Sequence, residues 1–129
     1  MTPELTVLTL AALLQICQIG LYSVTGQAQV GTKAALKPRD THVELTGMAG
    51  RAQRAMNNHF EGLILFSIAA LVLATTGQST EWTALLAWLY LAARVLYVPA
   101  YLFGWVPWRS VIWSVGLVAT LLMLLAALV

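Results

Sequence analysis

The chain has 129 residues, 60% of them hydrophobic and 9% charged, with a formal net charge of +2 and a mean hydropathy of +0.79. This composition excludes an ordinary soluble domain and points to a membrane protein. The positive charge lies toward one side of the membrane, so it reads as a leaflet signal and gives no reason to expect a nucleic-acid partner.

A membrane span needs about 20 apolar residues, and four segments qualify, at about Leu5–Thr25, Phe60–Gly77, Trp82–Phe103 and Val106–Val129. The fold class predicted is all-α, a single four-span integral membrane domain covering residues 1–129. The first segment differs from a signal peptide: its start carries Glu4 instead of a positive charge, its apolar part is long, and no small-x-small cleavage site follows. Within it, Gln15, Gln18 and Tyr22 are spaced i, i+3, i+7 and form one helical stripe, suited to interhelical hydrogen bonds. The lone Cys17 is expected to be a small core-filling thiol.

The connection of residues 26–45 is the one long polar segment. With Gly31, Pro38, Lys33, Lys37 and Arg39 it should be irregular at least in part, and it is placed to fold over a site at the membrane face. His42 has no second His or Cys at ligand spacing, so no metal site is expected. The second helix should begin near Thr46 or Gly47. Helical through Thr75, it would be about 45 Å long, so its first turns emerge from the hydrocarbon. Those turns carry Arg51, Arg54, Asn58 and Glu61, which fall within roughly an 80° arc. Headgroup anchoring by snorkelling accounts for two arginines but needs neither an amide nor an acid. An acid such as Glu61 at this depth should face protein or a water-filled cavity.

Gly77, Gln78 and Ser79 read as a helix stop and a short turn. In the third span Tyr90, Arg94, Tyr97 and Tyr101 form a second polar stripe, with Pro99 loosening the helix near its end. Trp105 and Trp108 match one interfacial belt and Trp82 the other. Pro107 suits the first turn of the fourth span, Arg109 stands at its start, and residues 111–129 should pack and face lipid. Lys33, Lys37, Arg39, Arg51, Arg54, Arg94 and Arg109 all lie toward one side. The positive-inside rule then puts both termini outside and the two basic connections in the cytoplasm.

The two stripes converge at the same face, with Arg109 nearby. Several cations, one carboxylate, an amide and phenols suit a small zwitterion with more than one carboxylate, its ammonium held by Glu61. Glutathione is such a molecule, and a cation beside its sulfur would favour the nucleophilic thiolate.

The stretch RAQRAMNNHFEGLILF resembles the signature of the membrane-associated proteins in eicosanoid and glutathione metabolism (MAPEG) family. Arg51, Arg54, Ala55, Asn58 and Glu61 match its Arg-x-x-Arg-Ala-x-x-Asn-x-x-Glu pattern. ARVLYVPAY is similar to the family's span-three segment through Arg94, Tyr97 and Tyr101. The resemblance implies a left-handed four-helix bundle assembled as a homotrimer, with glutathione as co-substrate bound between subunits on the cytoplasmic side. It further implies a transferase or peroxidase acting on hydrophobic electrophiles or lipid hydroperoxides. By the same resemblance Arg54, Asn58 and Glu61 hold glutathione's polar groups, with Arg51 nearby; Arg94, Tyr97 and Tyr101 belong to the same binding site. Arg109 is the candidate catalytic, thiolate-stabilising residue. The chain departs from the pattern at Gly62, where some members have Tyr, and Arg109 is offset by about one residue from the expected spacing after Tyr101. A basic pair that some members carry at the end of helix one is absent, Lys33 being a weak substitute. The competing reading is a non-catalytic membrane protein that binds a lipid or a partner, or a small transporter, for which Glu4 is a poorly placed coupling acid.

The topology carries its own test. Alkaline phosphatase fused after Val129 should be active and a cytoplasmic fluorescent reporter fused there dark; the reverse pattern would invert the assigned orientation.

Overall fold

A computed structural model describes residues 1–31 and 45–129. Among these residues there are four α-helices and no strand: α1 (Pro3–Val30), α2 (Gly47–Thr75), α3 (Glu81–Leu102) and α4 (Trp108–Leu128). All four are long and apolar enough to cross a membrane, which makes the chain a multi-pass integral membrane protein. At 1.5 Å per residue, α1 and α2 extend over about 40 Å, well past a hydrocarbon core of about 30 Å. The expectations for Lys33, Lys37, Pro38, Arg39 and His42 concern residues outside those described. Where the polar connection was expected to begin, α1 instead continues through residues 26–30. Gln27, Ala28 and Gln29 are good helix formers, and the helix stops only at Gly31, whose φ of 85° is the left-handed conformation that glycine adopts readily.

The helix ends explain the topology. Thr2 caps α1 by accepting from the Leu5 N–H at 3.3 Å, and Pro3 occupies the first turn, where its missing N–H costs nothing. Thr80 and Thr83 cap α3 reciprocally, each hydroxyl accepting from the other's backbone N–H. The Thr83 hydroxyl then donates to Glu4 Oε1 at 2.6 Å, and the Ser79 hydroxyl reaches both Glu4 oxygens at 3.0 and 2.8 Å. Glu4 is wholly buried by these contacts, so the starts of α1 and α3 lie at the same end of the molecule. At the other end the Gln29 side chain clamps the Thr46 backbone, accepting its N–H at 3.0 Å and donating to its carbonyl at 2.9 Å. The helices therefore run up, down, up, down. α1 packs mainly on α2 and α3 mainly on α4, while α1 and α4 are not neighbours among the described residues.

The core is built from small side chains. Ala11, Ala69, Ala70, Ala87 and Ala119 are buried and let the helices approach closely. Phe66 and Tyr90 fill the centre, stacked with ring centroids 4.1 Å apart. Outside, residues such as Leu13, Ile16, Ile64, Ile68, Leu85, Leu96, Val118 and Leu125 are exposed on every helix, a surface suited to lipid or to neighbouring chains. Cys17 belongs to that surface: it is exposed, contrary to the expected core role, because it neighbours the buried stripe of Gln15 and Gln18 without sharing its direction. α3 continues through Pro99 to Leu102.

Gly50 is required by the chain entering α2. A Cβ there would lie 2.6 Å from the Leu45 carbonyl oxygen, and that backbone is tied down by the Gln29 clamp on Thr46. Gly50→Ala should lower stability by about 1–3 kcal/mol. Gly20→Ala should be neutral or mildly stabilising, since no atom lies within 4 Å of its added Cβ. Apparent melting temperatures in detergent check both.

Candidate functional site

The polar stripe of α2 meets α3 through three separate hydrogen bonds, one per turn. Arg51 Nη1 donates to the Leu102 carbonyl at 3.2 Å. That carbonyl is among the last of α3, where orphan acceptors and the negative end of the helix dipole favour a cation. Arg54 Nε donates to the Tyr101 hydroxyl at 2.9 Å. One turn deeper, Arg94 Nη1 donates to Asn58 Oδ1 at 3.0 Å. Glu61, the fourth member of the stripe, is exposed and lies outside the cavity these residues border.

Arg94 is only 4% exposed and its guanidinium lies 4.7 Å from the Tyr97 ring centroid. A guanidinium has only donors, so Asn58 must turn its oxygen to Arg94 and keep both N–H groups for its other side. Arg94 thus makes Asn58 a hydrogen-bond donor toward the cavity. Tyr101 has a related role for the cations. Besides accepting from Arg54, its ring lies 4.8 Å from the Arg109 guanidinium carbon and 5.8 Å from that of Arg54. Two arginines from α2 and α4 are therefore gathered on one phenol, which concentrates positive charge at this end.

Asn58, Tyr97, Tyr101, Arg109, Ser110 and Trp113 line an open, mostly polar cavity of about 190 Å³ between α2, α3 and α4. Of the residues singled out in the sequence, Asn58, Tyr97, Tyr101 and Arg109 meet there, and Arg54 reaches it through Tyr101. Arg94 sits behind Asn58, and Arg51 caps the end of α3. Ser110 and Trp113 were missed, because the fourth span was read as packing and lipid-facing beyond Arg109. A signal was available: Trp113 lies four residues after Arg109, so both occupy one face of α4. Polar donors and cations in this arrangement can hold an anion and hydrogen-bond its oxygens.

The MAPEG family model matches residues 6–129, nearly the whole chain. The chain belongs to the MAPEG family. It is thus a membrane protein of the family associated with glutathione and eicosanoid metabolism. Neither a curated protein nor a solved structure gives a significant match. In this MAPEG chain Arg51, Arg54 and Asn58 of the signature meet α3, and another side of the same helix holds a polar contact that sequence reasoning passed over. His59 is completely buried; its Nδ1 lies 2.7 Å from Gln15 Oε1, and Gln15 Nε2 donates to the Met56 carbonyl at 3.4 Å. The expected interhelical role of the α1 stripe is realised by Gln15, whereas the Gln18 amide is buried without a partner among the described residues. His59 could have been found from its register: with Ala52, Ala55 and Phe66 it continues the buried face of α2.

Gln15→Leu should cost about 1–3 kcal/mol by stranding the buried His59 ring. The double variant Gln15→Leu/His59→Leu should recover much of that loss, since removing both partners leaves nothing unsatisfied. Thermal unfolding in detergent measures the difference, and simple additivity would reject the coupling.

Proposed function

We propose that this protein is a glutathione-dependent membrane transferase or peroxidase acting on hydrophobic electrophiles or lipid hydroperoxides. The observation that carries the proposal is the convergence of Asn58, Tyr97, Tyr101 and Arg109, from three helices, on one polar cavity in a MAPEG chain. Glutathione is the co-substrate. Arg54 and the N–H groups of Asn58 are suited to its carboxylates, and Glu61 to its ammonium. Tyr97 and Tyr101 shape the cavity, while Arg51 and Arg94 hold α3 and Asn58 in place. Arg109 stands on a different helix from Arg54 and is free to lie beside the sulfur, where a cation favours the thiolate. In conjugation the sulfur forms a bond to an electrophilic carbon as that carbon's leaving group departs. With a hydroperoxide the sulfur takes the terminal oxygen and the alcohol is released after protonation of its oxygen.

The assembly proposed, from family membership, is a homotrimer of left-handed bundles, and the size of the cavity is consistent with a site shared between subunits. Sites for ligands of this kind run to roughly 300–1,000 Å³, so a cavity of about 190 Å³ provides only part of the wall. A neighbouring subunit would complete it and cover the exposed Glu61. Arg51, Arg54 and Arg109 all lie at the end where α1 finishes and α2 starts, which supports a cytoplasm-facing site with both termini on the opposite side.

Calorimetric titration with glutathione, followed by ultraviolet titration of the thiolate band near about 240 nm, tests the reading. Arg109→Ala should abolish the band at neutral pH and leave most of the affinity. Arg54→Ala should weaken binding yet keep the band at saturation. Retention of the band and of turnover in Arg109→Ala would move the activating role to another cation. Binding without any thiolate, or no binding, would favour the non-catalytic lipid- or partner-binding protein, or a transporter.

A further inference from the structure

Behind the glutathione cavity lies a second, smaller space. It measures about 30 Å³ and is bounded by Tyr90 and Arg94 of α3, Gly62 of α2 and Gly116 of α4. The rest of its lining is mostly apolar, Leu65, Trp113 and Leu117, with Thr120. The two glycines make the space: a Cβ on Gly62 would lie 3.6 Å from the Tyr90 hydroxyl and 3.9 Å from Arg94 Nη1, and one on Gly116 would lie 3.8 Å from Arg94 Cδ.

The residues facing this space carry unused donors. Tyr90 is 2% exposed and Arg94 4%. The Tyr90 hydroxyl and both Nε and Nη2 of Arg94 are buried without a hydrogen-bond partner among the described residues. The one hydrogen bond that Arg94 makes is to a neutral amide. Of the acidic residues described, Glu4 is engaged by Ser79 and Thr83 at the far end, and Glu61 and Glu81 are exposed. Burying a cation is costly unless its donors are used and its charge is offset, and one neutral amide engages only one of the three Arg94 nitrogens.

We propose that this recess binds a small monovalent anion of halide size, held by Arg94 and the Tyr90 hydroxyl. A volume of about 30 Å³ admits one such ion, roughly two water-sized spheres, and is too small for a carboxylate-bearing ligand. A water molecule would satisfy the donors but leave the charge uncancelled. The mostly apolar lining suits a weakly hydrated ion over a strongly hydrated one. The ion would hold Arg94 in place, and through Nη1 the orientation of Asn58. Binding of the ion does not require glutathione, although through Asn58 it would bear on the cavity proposed above.

The test uses the whole protein in detergent, without glutathione, at constant ionic strength, with chloride or bromide exchanged for gluconate, which is too large for the recess. The apparent melting temperature should rise saturably with chloride or bromide. Tyr90→Phe, which keeps the ring stacked on Phe66, should raise the half-saturating concentration about tenfold through loss of one charge-assisted hydrogen bond. Gly62→Ala, which narrows the recess without a close clash, should also weaken the response, and it carries the test alone if Tyr90→Phe does not fold. Bromide-soaked crystals should show an anomalous peak beside Arg94. Equal melting temperatures in chloride and gluconate, with no peak, would mean that the recess holds only water and would overturn the proposal. A halide response unchanged in both variants would place the ion elsewhere and overturn it equally.

Discussion

A guanidinium buried inside a bundle of membrane helices has to be accommodated, and much of this structure follows from how Arg94 is. It cannot face lipid, so the stripe of α3 that bears it must turn inward toward α2 and α4. Asn58 meets it across the α2–α3 contact and Tyr97 covers one face of its charge. Gly62 and Gly116 make room around its stem. Each of these contacts draws the same three helices together at the end where the cavity opens. The inward turn of α3 also brings Tyr101 to the rim, where Arg54 and Arg109 gather on it. A structural requirement and a chemical one are thereby met by the same stripe of residues.

The other end of the molecule is organised by an opposite charge with a different solution. Glu4 is fully buried, yet its carboxylate receives hydroxyls from Ser79 and Thr83 and joins α1 to the start of α3. Its donors are neutral hydroxyls at and just before the start of α3. That is the chemistry of a static joint. Around Arg94 the donors are left in excess, beside open space. What sets Arg94 apart is that its unused donors adjoin open space.

Between these ends the bundle depends on alanine and glycine. Hydrophobicity does not drive helices together in lipid, so close approach must come from small side chains and from a few hydrogen bonds. Ala69, Ala70, Ala87 and Ala119 supply the first and the Gln15–His59 contact the second. Exposed leucines, isoleucines and valines on the remaining faces leave the chain suited to a bilayer and to association with copies of itself.

The amino-acid pattern by itself determined the number of spans and the two polar stripes, because length, hydropathy and the 3.6-residue period are properties of single helices, and the RAQRAMNNHFEGLILF stretch carried the family resemblance. The start of α2 near Gly47 was legible from the same reasoning. Only tertiary structure decided what each stripe residue touches. Arg51 serves a helix end, Arg94 orients Asn58, Glu61 stays outside, and Trp113 and Ser110 join the cavity. Periodicity says which side of a helix a residue occupies. How deep that side is buried, and which residue of the next helix stands opposite, depend on the relative rotation and height of the helices, set by small side chains scattered over all four segments.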